Sequence, residues 1–255
     1  MLRKRLLGAV IVRKGWGVQS FGYRKWLPLG RPENLVENLD RWGADGIVVM
    51  VVDRENQGPD LKLIKQLGAL GLSTPLTYGG GITNSEQALL AVKAGAERLL
   101  LDSVLISNPK AILEMASTVG VQALVASLPM VKDTNGAIYH WDYKARKYSA
   151  LSEGICQLIS DENISEVLVI DASGEGTGQG FNVKLFECVK KYTELPILVF
   201  GGLADANQIK KLINEPQLAG VVVGNALNYR EHAINHLKAA IGNQNLRPHI
   251  VKVCK

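Results

Sequence analysis

Leu76-Thr77-Tyr78-Gly79-Gly80-Gly81-Ile82-Thr83 leads through an amphipathic stretch to Ala96-Glu97-Arg98-Leu99-Leu100-Leu101-Asp102-Ser103-Val104-Leu105, and the chain then repeats itself. In its second half Leu198-Val199-Phe200-Gly201-Gly202-Leu203-Ala204 leads in the same way to Gly220-Val221-Val222-Val223-Gly224-Asn225-Ala226-Leu227. At a constant shift of 122 residues Gly80 falls on Gly202, Ser103 on Asn225, Leu105 on Leu227, and Gly58 on Gly180. Each copy reads as strand, glycine turn, helix, strand, small polar residue. A chain made of two such (β/α)4 units should carry its ligand sites as a pseudo-symmetric pair.

Working outward, short apolar, β-branched runs recur at Leu6–Val12, Ile47–Val52, Leu99–Leu101, Leu124–Ala126, Val167–Ile170, Ile197–Phe200 and Val221–Val223, with Pro75–Tyr78 as an eighth. Continuously apolar strands suit a parallel sheet covered on both faces. Amphipathic stretches separate them at Asp60–Leu70, Glu86–Ala94, Asn182–Tyr192, Asn207–Ile213 and Arg230–Ile241. Pro32 suits the first turn of a further helix, and Asn108-Pro109 reads as a cap followed by proline at the first helical position. The composition does not break anywhere, so the fold class is α/β, a single (β/α)8 TIM barrel over residues 1–255 built from two (β/α)4 half-barrels. A doubly wound open sheet is the structural alternative.

One segment departs from the rhythm. Near residues 130–149, Asn135-Gly136 is flanked by Ile138, Tyr139, Trp141 and Tyr143. Asn-Gly between such residues signals a β-hairpin. It is either a decorative insertion or a lid or partner-docking element.

The 255 residues are 47% hydrophobic and 21% charged, an ordinary globular composition. Cys156, Cys188 and Cys254 are odd in number and match no zinc or redox spacing, which fits a reduced cytoplasmic setting. Arg13 and Lys14 cut short the apolar run that follows the basic N-terminus, so it does not read as a signal peptide. No run approaches the ~18–20 apolar residues of a membrane span. The net charge of +5 comes without an aromatic-interleaved basic patch, which argues against nucleic acid and fits a phosphorylated small-molecule ligand.

Glycine after a strand lets backbone N–H groups approach an anion, and barrels place such cradles where their strands end. One cradle would use Gly79, Gly80, Gly81, Asp102 and Ser103; the other Gly201, Gly202, Gly224 and Asn225. Gly176 and Thr177, in the run Gly174-Glu175-Gly176-Thr177-Gly178-Gln179-Gly180, would add a flexible phosphate-covering loop. The alternating glycines are not a dinucleotide fingerprint, and no cofactor is implied.

The opening Met1-Leu2-Arg3-Lys4-Arg5, the segment Gly30-Arg31-Pro32-Glu33 through Gly43-Ala44-Asp45, the Tyr78–Ile82 loop and Gly176–Asn182 all fall in register with HisF, the cyclase subunit of imidazole glycerol phosphate synthase. The sequence resembles that family along essentially its whole length. The resemblance implies a HisH-like glutaminase docked on the bottom of the barrel, ammonia passing through it, and a substrate with two phosphates at the top.

It also marks departures. The family's two catalytic aspartates fall on Ile11 and Pro129, neither of which can carry a proton. Its acid at the end of strand two falls on Val51, its strand-one lysine on Gln19 and its strand-eight serine on Asn225, while Glu175 keeps an acid in the strand-six loop. At the bottom, Arg5, Arg98 and Glu166 hold three positions of the family's charged channel entrance, Gly46 replaces the fourth, and Glu97 keeps an acid used to dock the glutaminase. Asp53 and Asp171 are either replacement acids or hydrogen-bonded structural residues. His232 and His236, four apart, lack a third ligand, and no metal site is expected. What the resemblance implies is a divergent synthase subunit passing ammonia from a HisH-like glutaminase to an acceptor, as in surface-polysaccharide sugar amidination, where a separate sugar amidotransferase takes it. A genuine cyclase with relocated acids, or a non-catalytic activator of the glutaminase, are the alternatives.

Overall fold

The computed structural model describes residues 3–143, 147–160, 163–242 and 246–248; Met1, Leu2 and Cys254 lie outside the described residues. In chain order the strands are β1 (Arg5–Arg13), β2 (Trp16–Phe21), β3 (Lys25–Gly30), β4 (Ile47–Val51), β5 (Leu76–Gly79), β6 (Arg98–Leu101), β7 (Leu124–Lys132), β8 (Ile138–Asp142), β9 (Lys147–Ser149), β10 (Glu166–Asp171), β11 (Ile197–Phe200) and β12 (Leu218–Val223). The α-helices are α1 (Pro32–Arg41), α2 (Leu61–Gly68), α3 (Ser85–Lys93), α4 (Ser103–Ser107), α5 (Lys110–Val119), α6 (Glu153–Ser160), α7 (Val183–Val189), α8 (Ala206–Leu212) and α9 (Ala233–Ile241).

Strands β1, β4, β5, β6, β7, β10, β11 and β12 pair in parallel in that order. Leu7 on β1 pairs with Val222 on β12 and closes the ring. The chain is a (β/α)8 barrel, and its apolar runs are continuous because both faces of every strand are buried. Leu7, Ile11, Met50, Leu100, Leu168, Phe200 and Val222 point to the axis. Their neighbours Val10, Val49, Leu99, Val167, Val199 and Val221 join the helix-covered outer core. Polar residues fix where helices begin. Asp60 accepts from the Leu63 N–H, Asn84 from that of Gln87, and Asp205 forms a capping box with Gln208.

Two hairpins extend from the ends of barrel strands. β7 runs on antiparallel to β8, with Met130 opposite His140, and β8 pairs with β9. β1 turns through Lys14 and Gly15, at φ +52° and +76°, into antiparallel β2, which pairs with β3. Nothing in the sequence signals this second hairpin, because its two left-handed turn residues are Lys-Gly rather than Asn-Gly.

Candidate functional site

The glycine loops are copies of one another in backbone form. A Cβ on Gly80 (φ +137°) would lie 2.5 Å from the Val51 carbonyl, and one on Gly201 (φ +111°) 2.5 Å from that of Asp171. A Cβ on Gly81 (φ +75°) would meet the Gly58 carbonyl at 2.4 Å, and one on Gly202 (φ +77°) that of Gly180 at 2.3 Å. The structural partners are therefore Gly80 with Gly201 and Gly81 with Gly202. This corrects the pairing of Gly80 with Gly202 read from the sequence. The first loop has three consecutive glycines and the second two; Gly79 belongs to strand β5, where it stands in the place of Phe200.

Around these loops most polar side chains are already engaged. Asn225 accepts from the Ser20 N–H and donates to the Ser20 carbonyl at 2.6 Å, clamping β2. What remains for an anion is its backbone N–H. Ser103 opens the short helix α4 beside Asp102, and Gly224 packs against Phe200. The Gly174–Gly180 loop is not the free cover expected from its glycines. A Cβ on Gly176 would lie 2.3 Å from the Ser20 carbonyl. Thr177 donates to the Gly174 carbonyl, and the Gly180 N–H donates to that of Gly202. Glu175, 2% exposed, accepts from the Ser20 hydroxyl and the Tyr23 N–H. Burial raises its carboxyl pKa, and these hydrogen bonds partly offset the rise.

The positions to which the resemblance assigns the family's acids are buried and apolar. Ile11 is 4% exposed inside the barrel, and Pro129 is buried opposite Ile170 on the axis side of β7. Gln19 is buried on β2, and Val51 belongs to the outer core. Beside them lies a cluster that no motif in the sequence marks as a unit. The Ser127 hydroxyl donates to Asp102 Oδ2 at 3.1 Å. Above them Tyr23, from the turn between β2 and β3, meets Tyr143, which follows β8, edge to face at 5.1 Å. Burial pushes the Asp102 pKa up to about 7; the Ser127 hydrogen bond works against the rise, and the nearby Asp142 charge adds to it. The only sequence signal was an acid at a strand end; its roof comes from segments distant in the chain.

Asp102 sets a sign for stability against pH. A carboxyl whose folded pKa is raised contributes stability that is complete below its unfolded pKa, near 3.8, and lost as pH rises through about 7. Asp102→Asn should therefore match the wild-type Tm near pH 4 and exceed it increasingly up to pH 8. A constant difference between the two melting curves across that range would contradict this assignment.

At the opposite end of the barrel, Glu166 is 2% exposed and ion-paired to both Arg5 and Arg98. Arg98 also donates to the Ser165 hydroxyl at 2.6 Å. These charges line a cavity of about 290 Å³ that reaches Leu100, Val125, Leu168 and Leu198 inside the barrel. Gly46 lies on its wall, where an added Cβ would come 2.9 Å from the Leu7 side chain. Next to it Asp45 pairs with the buried Lys238 at 2.7 Å. Glu97 is exposed, and its carboxylate accepts from the Leu76 N–H at 3.2 Å.

The remaining candidates are placed away from any shared chemistry. Asp171 uses both oxygens on the Gly174 and Asn182 N–H groups, and Asp53 accepts from that of Lys14. These are structural ties. His232 sits at the start of α9 and His236 one turn later; among the described residues no group of three potential ligands could hold a metal. Burial pushes the Cys156 and Cys188 thiols up, away from reactivity. Among the described residues no helix is long and apolar enough to cross a membrane.

One closed ring of eight parallel strands, two matching glycine loops and hairpins over the strand ends define a duplicated (β/α)8 barrel with an elaborated mouth. The family model described as histidine biosynthesis protein matches residues 8–233, and the chain belongs to that family. A protein of Leptospira interrogans with the provisional name imidazole glycerol phosphate synthase subunit HisF is 28% identical over 234 residues, 90% of this chain and 92% of its own. The provisionally named subunit hisF2 of Vibrio vulnificus is 26% identical over 250 residues, 96% and 91% of the two chains. Subunit HisF of Bacillus cereus is 24% identical over 248 residues, 96% and 98%. The chain is thus a divergent HisF-like protein.

Proposed function

We propose that this barrel is the synthase-type subunit of a glutamine amidotransferase complex, receiving ammonia from a HisH-like glutaminase at the bottom and releasing it at the mouth. The observation that carries this reading is the contrast between the two ends. The bottom keeps Arg5, Glu166 and Arg98 joined around an open cavity, while at the mouth the positions that the resemblance assigns to the cyclase acids are Ile11 and Pro129, both buried. A barrel enzyme working alone uses its bottom face for stability only. The acceptor we propose is outside the barrel: a sugar handled by a separate amidotransferase docked at the mouth. The inserted hairpin supports this, since Tyr139, Trp141 and Tyr148 form one aromatic face and Tyr148 is 52% exposed. Co-purification with the glutaminase, and its rate of glutamine hydrolysis with and without the barrel, test the core of the proposal.

The paired glycine loops serve, in this reading, to hold a phosphorylated ligand through backbone N–H groups. One anion belongs at Gly80, Gly81 and Ser103; a second at Gly176, Gly201, Gly202 and Asn225. Crystals grown with sulfate should show density at both places, on opposite edges of the mouth. Empty loops at high sulfate would reduce the glycines to close-packed turns, for which their contacts with Gly58 and Gly180 already give sufficient reason.

One observation favours a second reading, a cyclase with a relocated acid. Asp102 can hold a proton near neutral pH at the end of β6. Turnover of the diphosphorylated cyclase substrate with ammonia, and its loss in Asp102→Asn, would favour the second reading over the first.

A further inference from the structure

The cavity at the bottom of the barrel carries more positive charge than the acids on its wall can answer. Arg5, Arg98 and Arg247 line it together with Asp45, Glu97 and Glu166. Asp45 is already matched by the buried Lys238 at 2.7 Å. Three arginines are left facing two carboxylates, and one of these, Glu97, is turned onto the Leu76 N–H. Glu166 serves both Arg5 and Arg98. Arg98 spends its other donors on the Gln122 carbonyl and the Ser165 hydroxyl. Among the described residues Arg5 is engaged through Nη2 alone.

The C-terminal segment adds to the excess. Leu246 forms a parallel bridge with Lys4, and the Arg247 N–H donates to the Lys4 carbonyl at 2.9 Å. The residues that follow, Arg5 and Arg247, are therefore neighbours. Like charges set opposite one another on adjacent strands are destabilising, and the Arg247 side chain has no partner among the described residues. Glycines flank Arg5 in the barrel wall: Gly220 lies opposite it on β12, and Gly46 stands just before β4. Gly46 has no left-handed φ, so its backbone does not require glycine. Only the flexible Leu7 side chain would crowd a Cβ there, at 2.9 Å. The missing side chain leaves room on the cavity wall where an acid would be welcome.

Water tolerates this imbalance while the face is open, the Arg5 and Arg98 side chains being 19% and 20% exposed. A protein covering the face removes that water, and a buried charge without its partner is strongly destabilising. A carboxylate fits best, since it accepts two parallel N–H bonds from one guanidinium. We infer that Arg5 and Arg247, beside Gly46, form a carboxylate-binding site, and that the docked glutaminase fills it with an aspartate or glutamate side chain. The source of the carboxylate rests on the relay reading above; the site itself does not. Free glutamate, the product of glutamine hydrolysis, is the other source of the same chemistry.

Two measurements separate the site from its source. Crystals of the whole barrel soaked in para-bromobenzoate should show an anomalous bromine peak in the cavity, and the neutral para-bromobenzamide should give none. The peak should fall several-fold in Arg247→Ala and vanish in Gly46→Glu, which supplies the chain's own carboxylate. No peak in wild-type crystals, or an equal one with the amide, would overturn the site. In solution Arg247→Glu should raise the Kd of the glutaminase complex about tenfold or more. Exchange of one acidic residue of the glutaminase for lysine should then restore it. Both barrel variants should melt close to wild type, Arg247 most nearly so, because its side chain holds nothing within the barrel. A complex equally tight in wild type, Arg247→Glu and Gly46→Glu would overturn the partner as the source while leaving the relay standing. Displacement of the bromine probe by free glutamate would in that case give the site to the free acid. A bromine peak without any complex upholds the site and ends the relay.

Discussion

Given ammonia and the diphosphorylated substrate of imidazole glycerol phosphate synthases, the purified protein should form no detectable imidazole product. A positioned acid or base contributes roughly 10²–10⁴-fold to rate, and the resemblance sets two such positions on side chains that cannot hold a proton. Ile11 lies 4% exposed among Phe200, Ile170 and Val222 in the barrel interior, and Pro129 is buried opposite Ile170. Restoring both acids, as Ile11→Asp with Pro129→Asp, should rescue little. An aspartate placed at position 11 meets an apolar interior, where an unpaired carboxylate keeps its proton or destabilises the fold by several kcal/mol. The lysine and acid positions of the family would still be Gln19 and Val51. Robust turnover by the wild-type protein would defeat this expectation and turn attention to Asp102, whose replacement by asparagine should then abolish the reaction.

The barrel was legible because its strands are buried on both faces, so their apolar runs are unbroken and their glycine turns recur at a nearly fixed interval. The interval itself misled by one residue, since Gly79, Gly80 and Gly81 look equivalent in sequence and only the contacts with Val51 and Gly58 show which two form the turn. The Lys14-Gly15 hairpin was invisible for lack of a strong turn signal, and with it the positions of Ser20 and Tyr23. That omission hid most of the mouth. Glu175 and Asn225 stand out in the sequence as polar residues in ligand loops, yet both spend their side chains on Ser20. Asp102 stood out only as a cradle residue; its pairing with Ser127 depends on the register of β6 against β7, in which Leu101 lies opposite Ala126. The charged ring at the bottom, by contrast, could be named residue by residue, because each member sits at or just beside a strand start and strand starts share one end of a parallel barrel.

Mixing the barrel with a HisH-like glutaminase from the same organism should give a salt-sensitive complex and raise the rate of glutamine hydrolysis. Charges at a docking face set register and association rate more than affinity, so the complex should weaken as salt rises. The choice of variant follows from burial. Glu166 is 2% exposed and holds two arginines, so removing it would leave both guanidiniums without their partner and destabilise the barrel by about 3 kcal/mol. A lost complex would then say nothing about docking. Glu97 is exposed, and the one described bond of its carboxylate is from the Leu76 N–H. Glu97→Gln keeps an acceptor for that bond and removes the charge; Glu97→Lys reverses it. If Glu97 meets a basic group of the partner, the reversal should cost about 1–3 kcal/mol, which is roughly 5- to 150-fold in Kd. The glutamine variant should fall between that and wild type. The glutamine variant should melt within a degree or two of the parent protein, while the lysine variant, which leaves the Leu76 N–H without its acceptor, should melt a few degrees lower. A complex equally tight in all three proteins would move the interface away from Glu97. Failure to form any complex at low salt, with no rise in glutamine hydrolysis, would leave the bottom cavity without a donor and end the relay reading.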